Sequence, residues 1–309
     1  MDMKQKIGKS RWLAGHRKPL LGLAAGVLGL LASPAHAQHT NRPAFDWSRV
    51  SHVIMPQARA FSLSQGQRGV TITRVDARVQ IRERIARTTL DIRLTNGGHS
   101  DSDAVLLLPV PDGAVVTDFL FDGSALEPTA RLLPHGEARR TYDDIVRRLK
   151  DPALLEFAGY NLIRSSVFPV PAGGRQHLRL SYEHILDVDG DRVDYILPRS
   201  EALSNSVPWT IDVTIDELRP LSVAYSPSHP LMKKALDPAG KRLQLSSPHL
   251  AEPGPFRLSY LLEGVGLSAS LLAHPDPATG EGTFLLMAGL PVRAAGSGER
   301  LPREVTLVL

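Results

Sequence analysis

The sequence contains no cysteine, which excludes disulfides and thiol chemistry and leaves the fold to be held by its own apolar core. Past residue 31 there is no apolar run that could cross a bilayer as a helix, which needs about 20 residues. No internal repeat or low-complexity tract occurs. No G-x-S-x-G elbow, which would expose a nucleophilic serine on a strand-to-helix turn, appears anywhere.

What is present begins with a basic amino terminus. Lys4, Lys6, Lys9, Arg11, Arg17 and Lys18 precede the apolar block Leu20 to Leu31, and Ala35-His36-Ala37 follows as a small-x-small cleavage site before Gln38. This predicts a secretory signal over residues 1–37, removed on export. A membrane anchor is the alternative, and the block is short for it. The signal holds six of the 36 Lys and Arg and one of the 32 Asp and Glu, which leaves 30 and 31 and a net charge of −1. The basic balance thus belongs to the targeting segment, and with it goes the argument for nucleic acid or an anionic membrane as partner. No transmembrane segment is expected after signal removal. An exported chain without cysteine points to a bacterial envelope protein, in the periplasm, the outer membrane or at the cell surface.

The remaining residues suffice for two β domains. Residues 38–60 are polar and read as a linker. From Val70 to Leu94, Val75, Ala77, Val79 and Ile81, then Leu90, Ile92 and Leu94, alternate with charged residues, which predicts half-buried antiparallel strands. Ala104 to Val110 is continuously apolar, so this strand should be covered on both faces. Val115 to Phe121 and Gly123 to Glu127 read as another hairpin. Asp189-Gly190 suits a type I′ turn between Leu178–Val188 and Val193–Leu197. Beyond a boundary near Pro198 to Asn205, short strands at Trp209–Ile215, Leu221–Tyr225, Arg242–Ser246, Phe256–Leu262, Leu267–His274 and Thr283–Leu290 predict a second, smaller β-sandwich over 201–290. Residues 291–302 read as a flexible linker.

One helix is predicted among these strands. Ala138, Tyr142, Ile145 and Leu149 form an apolar stripe at helical spacing, with Arg139, Arg140, Asp143, Asp144, Arg147 and Arg148 on the other faces. Asp151-Pro152 then reads as a cap and first position of a short second turn of helix. The ordered run of this Ala-Arg-x-x-Tyr helix, Asp151-Pro152-Ala153-Leu154-Leu155-Glu156, Val167-Phe168-Pro169-Val170-Pro171-Ala172-Gly173-Gly174 and Leu180-Ser181-Tyr182 resembles the VIT domain of vault proteins and inter-alpha-trypsin inhibitor heavy chains. Ala86-Arg87-Thr88-Thr89 and Leu107 to Val116 resemble that family's upstream signatures, so roughly Phe61 to Leu186 is covered.

The resemblance implies a mainly β fold: a β-sandwich VIT domain with one packed α-helix over 61–200, followed by the second smaller sandwich. Tyr142, Pro152, Leu155, Phe168, Pro169, Pro171, Gly173, Gly174 and Tyr182 would be its structural motif. In that family a von Willebrand factor A domain follows, and Arg303 to Leu309 is similar to its first strand. A divalent cation is expected in that downstream domain alone, and no cofactor in this chain. The expected activity is non-enzymatic: an exported interaction or scaffold protein of the adhesion or envelope-assembly type, whose VIT module positions the A domain for a protein partner.

The residues offer few alternatives. Arg139, Arg140, Arg147 and Arg148 could meet an acidic partner, or form a solvated face balanced by Asp143 and Asp144. His99, Ser100, Asp101 and Asp103 share one loop, and Asp187, Asp189, Asp191 and Asp194 another. Either could serve a periplasmic hydrolase with a site in inter-domain loops, or be charged loop tips. Counted from Asp187, Arg192 and Pro198 stand where a calcium loop needs Gly and Glu. His177 and His184, seven apart on a strand, should face opposite ways, which argues against shared metal ligation. Phe168 to Gly174 should be a rigid edge that seats the helix, or else a ligand groove.

Overall fold

The computed structural model describes residues 45–63, 69–122, 129–149, 157, 159–201, 207–247, 253–264, 268–275 and 282–289. They build a mainly β, sandwich-like fold with one α-helix. Its broadest layer is a seven-stranded sheet in the order β15 (Met232–Ala235), β16 (Arg242–Ser247), β13 (Trp209–Asp216), β3 (Val70–Arg82), β4 (Ile85–Asn96), β10 (Arg175–Ile185), β6 (Val115–Phe121). Period-two alternation sorts its side chains. Val75, Val79, Leu90, Ile92, Leu180 and Val213 point inward and are all but inaccessible, each burial being worth about 2 kcal/mol. Their odd or even neighbours make the outer face.

The inner face shares one core with two further sheets. In the first, β2 (Arg59–Ser62), β1 (His52–Met55), β5 (Ser102–Val110), β8 (Asn161–Ser165) and β7 (Ala130–Leu132) run in that order, and β9 (Phe168–Val170) also pairs with β5. As its continuous apolar run predicts, β5 is buried from Ala104 to Val110. The linker expected over 38–60 is corrected at its carboxyl end: His52–Met55 is a buried strand paired in parallel with Ala104–Leu106. Four residues are too few to display periodicity, so tertiary pairing decides their state.

The second sheet joins β11 (Asp187–Asp189), β12 (Arg192–Leu197), β17 (Phe256–Leu262) and β14 (Leu221–Tyr225). Strands β18 (Ser268–Pro275) and β19 (Gly282–Gly289) form a separate pair. Sheets therefore run across the boundary expected between 200 and 201: β13 pairs in parallel with β3, and β12 pairs with β17. Strands β13, β14, β16 and β17 lie close to where the short apolar runs place them, but they complete the sheets of the first half instead of enclosing a core of their own. Arg199, at the expected boundary, is buried with its guanidinium 5.0 Å above the Trp209 ring, a cation–π contact.

The helix α1 (His135–Leu149) buries Ala138, Thr141, Tyr142 and Ile145 and lies against β8. Burial pushes the Tyr142 phenol well above its ordinary pKa. Glu137 in the first turn and Arg147 and Arg148 in the last complement the helix dipole. No helix among the described residues is long and apolar enough to cross a membrane.

Two turns depart from expectation. At 189–192 only Gly190 takes positive φ, +61°, whereas a type I′ turn needs both central residues there. That pattern occurs instead at Glu83 and Arg84, φ 44° and 72°, the two-residue loop joining β3 to β4. Neither residue favours the left-handed region, so the sequence carries no turn signal at this hairpin.

Candidate functional site

The outer face of the seven-stranded sheet is polar across its centre, because β3, β4, β10 and β13 all place charged or hydroxylated residues at outward positions. Register then decides which meet. Arg74 lies across from Arg93, and Arg93 from His177; Asp76 lies across from Asp91, and Asp91 from Arg179; Thr210 flanks Asp76 from β13. Two adjoining depressions of about 470 and 600 Å³ follow these rows and share Arg74, Arg93 and His177. Together they form a trough.

Two aspartates form its floor. Asp91, only 7 % exposed, accepts hydrogen bonds from Arg78 and from Arg179 Nε at 2.7 Å, with His177 Nε2 at 3.0 Å. Asp76 accepts from Arg74 Nε with both oxygens at 2.8 Å and from Thr210 Oγ1 at 2.5 Å. Burial pushes the Asp76 carboxyl up, but the hydrogen bonds of Arg74 and Thr210, with the charges of Arg74 and Arg93, outweigh it and hold the pKa below its ordinary value. The two carboxylates, like charges directly opposed on neighbouring strands, would repel each other without these cations.

The grip on each arginine is partial. Arg74 and Arg179 engage their aspartates through Nε, and among the described residues their terminal Nη groups have no protein partner. Arg93 and Arg175 make no side-chain hydrogen bond or ion pair among the described residues. His177 sits between carboxylates, Nε2 toward Asp91 and Nδ1 3.3 Å from Asp122. The trough can hold an anion through guanidinium donors. The Thr210 hydroxyl donates its hydrogen bond to Asp76.

The residues singled out in the sequence lie elsewhere. Arg139, Arg140, Arg147 and Arg148 are exposed on α1, Arg147 paired with Asp144. Glu137 ties the helix to the sheet by accepting from Arg131 and lying 3.3 Å from the buried Arg164. The Arg131 hydrogen bond, against burial, keeps the Glu137 carboxyl below its ordinary pKa. Burial lowers Arg164 more than Glu137 restores it, so the contact carries a desolvation cost.

The proline elbow is a paired segment of sheet: Phe168, Pro169 and Val170 face Ala104, Asp103 and Ser102 on β5. Phe168 packs on Phe121 at 5.2 Å between ring centroids. Gly173 has φ +59°, which favours glycine, and a Cβ at Gly174 would stand 3.1 Å from the Pro171 carbonyl oxygen, a tight approach on the return past Pro171. Helix α1 lies against β8. Tyr182 is fully buried beside His184, whose pKa burial lowers. Pro152 and Leu155 lie outside the described residues, as do Gly123 to Glu127 and 290–309.

The loop groups do not converge. His99 and Asp101 are exposed, and Asp101 accepts from the Ala172 amide. Asp189 and Asp194 pair with Arg192, and Asp191 with Arg219. As their odd spacing predicts, His177 faces outward and His184 inward. Among the described residues no three His, Asp or Glu side chains are grouped as a metal site. The trough itself went unnoticed in the sequence, although Arg175, His177 and Arg179 alternate visibly on one strand. Their partners on β3 and β4 come from register, which the linear order does not display.

Comparison with known proteins adds the following. Residues 72–182 match the family model of the Vault protein inter-alpha-trypsin domain. No curated protein matches the chain. Among solved structures, a putative nutrient binding protein from Legionella pneumophila is 11 % identical, with 62 % of this chain and 68 % of that one covered and a TM-score of 0.39. An M1 zinc metallopeptidase from Deinococcus radiodurans is 11 % identical over 77 % of this chain and 52 % of that one, with a TM-score of 0.37. This chain thus spans about half of the metallopeptidase. The ordered motifs and the family match agree on one assignment: residues 72–182 are a VIT domain.

Proposed function

We propose that the protein is an exported, non-enzymatic interaction module of the cell envelope, in which the VIT domain offers its surface to a protein partner and positions a von Willebrand factor A domain beyond Leu309. Any divalent cation acts in that downstream domain. The observation that carries the reading is the VIT domain itself, an interaction module, over residues 72–182. It is supported by the loop groups around His99 and around Asp187 to Asp194, which stay apart on the surface, where acid–base catalysis there would require them to converge on one reacting atom.

The test follows the whole gene product in its own host. Cell fractionation should find the mature protein outside the cytoplasm, and deletion of residues 1–37 should retain it inside. Crosslinking in intact cells should join it to a distinct envelope protein. Cytoplasmic residence of the intact product, or turnover of a small substrate by the purified protein, contradicts the reading.

A further inference from the structure

The trough on the outer face of the seven-stranded sheet has a spacing that selects among anions. Arg175, His177 and Arg179 occupy alternate positions of β10 and so project from the same face, about 7 Å apart at successive steps. Arg93, across from His177, widens this ladder onto β4, and Arg74 continues the row onto β3. A single phosphate is best held where donors converge on one point. Here the donors are strung along a strand, and their spacing equals that between alternate side chains of an extended polypeptide.

We infer that the trough binds an extended acidic segment of a protein partner, with carboxylates at alternate positions seated on the Arg175, Arg93 and Arg179 guanidiniums. This rests on the interaction reading above and names the chemistry of the partner. Three observations carry it. Among the described residues no carboxylate is hydrogen-bonded to or within ion-pair distance of the Arg93 or Arg175 guanidinium, although the charge of Arg93 is felt at Asp76. The aspartates hold Arg74 and Arg179 by Nε, leaving the Nη edge that binds a carboxylate. Across-strand placement of Arg74 against Arg93 sets two like charges side by side, an arrangement that a bound anion relieves.

The probe is a fluorescein-labelled hexaglutamate peptide, titrated by anisotropy into the exported form of the chain. Wild type should bind it, and binding should weaken as salt rises and screening shortens. The double variant Arg93→Ala/Arg175→Ala should lose about tenfold or more in affinity, while Arg139→Ala/Arg140→Ala on the helix should bind as wild type does. Should the alanine variant fold poorly by circular dichroism, Arg93→Lys/Arg175→Lys keeps the charge but not the fork, and should still weaken binding severalfold. Equal binding by wild type and the trough variants, equal loss in the helix variant, or binding of pyrophosphate but not of the peptide would overturn the proposal. An envelope partner still captured by Arg93→Ala/Arg175→Ala would leave the interaction reading standing and remove only the trough from it.

Discussion

On α1, Arg139, Arg140, Arg147 and Arg148 extend into solvent, and the pairing of Arg147 with Asp144 three residues back joins two exposed side chains. On the sheet, Arg78 and Arg179 are fixed by Asp91, a carboxylate 7 % exposed whose partners come from the two strands that flank it. The same side chain thus serves two purposes. Long exposed arginines keep their rotamer freedom, and their ion pairs contribute little. Arginines held by the aspartates of the sheet have part of that freedom already removed, so a ligand meets donors that are in place. A surface rich in arginine is therefore less informative than one where the arginines are anchored.

Breaking the floor of the trough should have the largest effect. Asp91→Ala removes the acceptor shared by Arg78, Arg179 and His177, and should destabilise the fold by about 2 kcal/mol in urea unfolding, because two partly exposed guanidiniums lose the carboxylate that holds them. Asp144→Ala on the helix should leave the midpoint unchanged.

Next comes the joint between helix and sheet. Glu137→Gln should cost about 1.5 kcal/mol near neutral pH, since Arg131 and the buried Arg164 both lose the Glu137 charge. The pH profile fixes the cause. The folded pKa of Glu137 lies below its ordinary 4.5, so its contribution is fully present above that value and disappears as pH falls through the folded pKa. Wild type and variant should converge in acid.

A smaller effect, of opposite sign, is expected where β3 turns into β4. Glu83→Asn with Arg84→Gly puts the residues that tolerate positive φ into the turn, and should raise stability by about 1 kcal/mol, read as a higher melting temperature. Arg139→Ala/Arg140→Ala should be the least consequential, within about 0.5 kcal/mol of wild type.

These differences also explain what the sequence reveals. The helix is legible because all its determinants lie within 15 residues: the stripe of Ala138, Tyr142 and Ile145 needs no partner to be recognised. Long strands such as β3 and β10 are legible for the same reason, and so is the double burial of β5. The short strand β1 reads as linker because its burial depends on β5, some fifty residues away. The boundary near 200 looked like the edge of a domain because prolines and short strands begin there, yet β13 completes the sheet of β3. The trough is hidden by the same cause: Asp76 meets Asp91, and Arg93 meets His177, only once three strands are in register.

The most direct test of the account places a photoreactive p-benzoylphenylalanine at Thr95, which lines the trough beside Arg93 and Arg175, or at Arg139 on the helix, in the exported protein in living cells. Irradiation should crosslink a single protein partner through position 95, and the adduct should vanish when Arg93 and Arg175 are changed to alanine. Adducts that form through position 139 alone, or that persist at 95 without the two arginines, would contradict it.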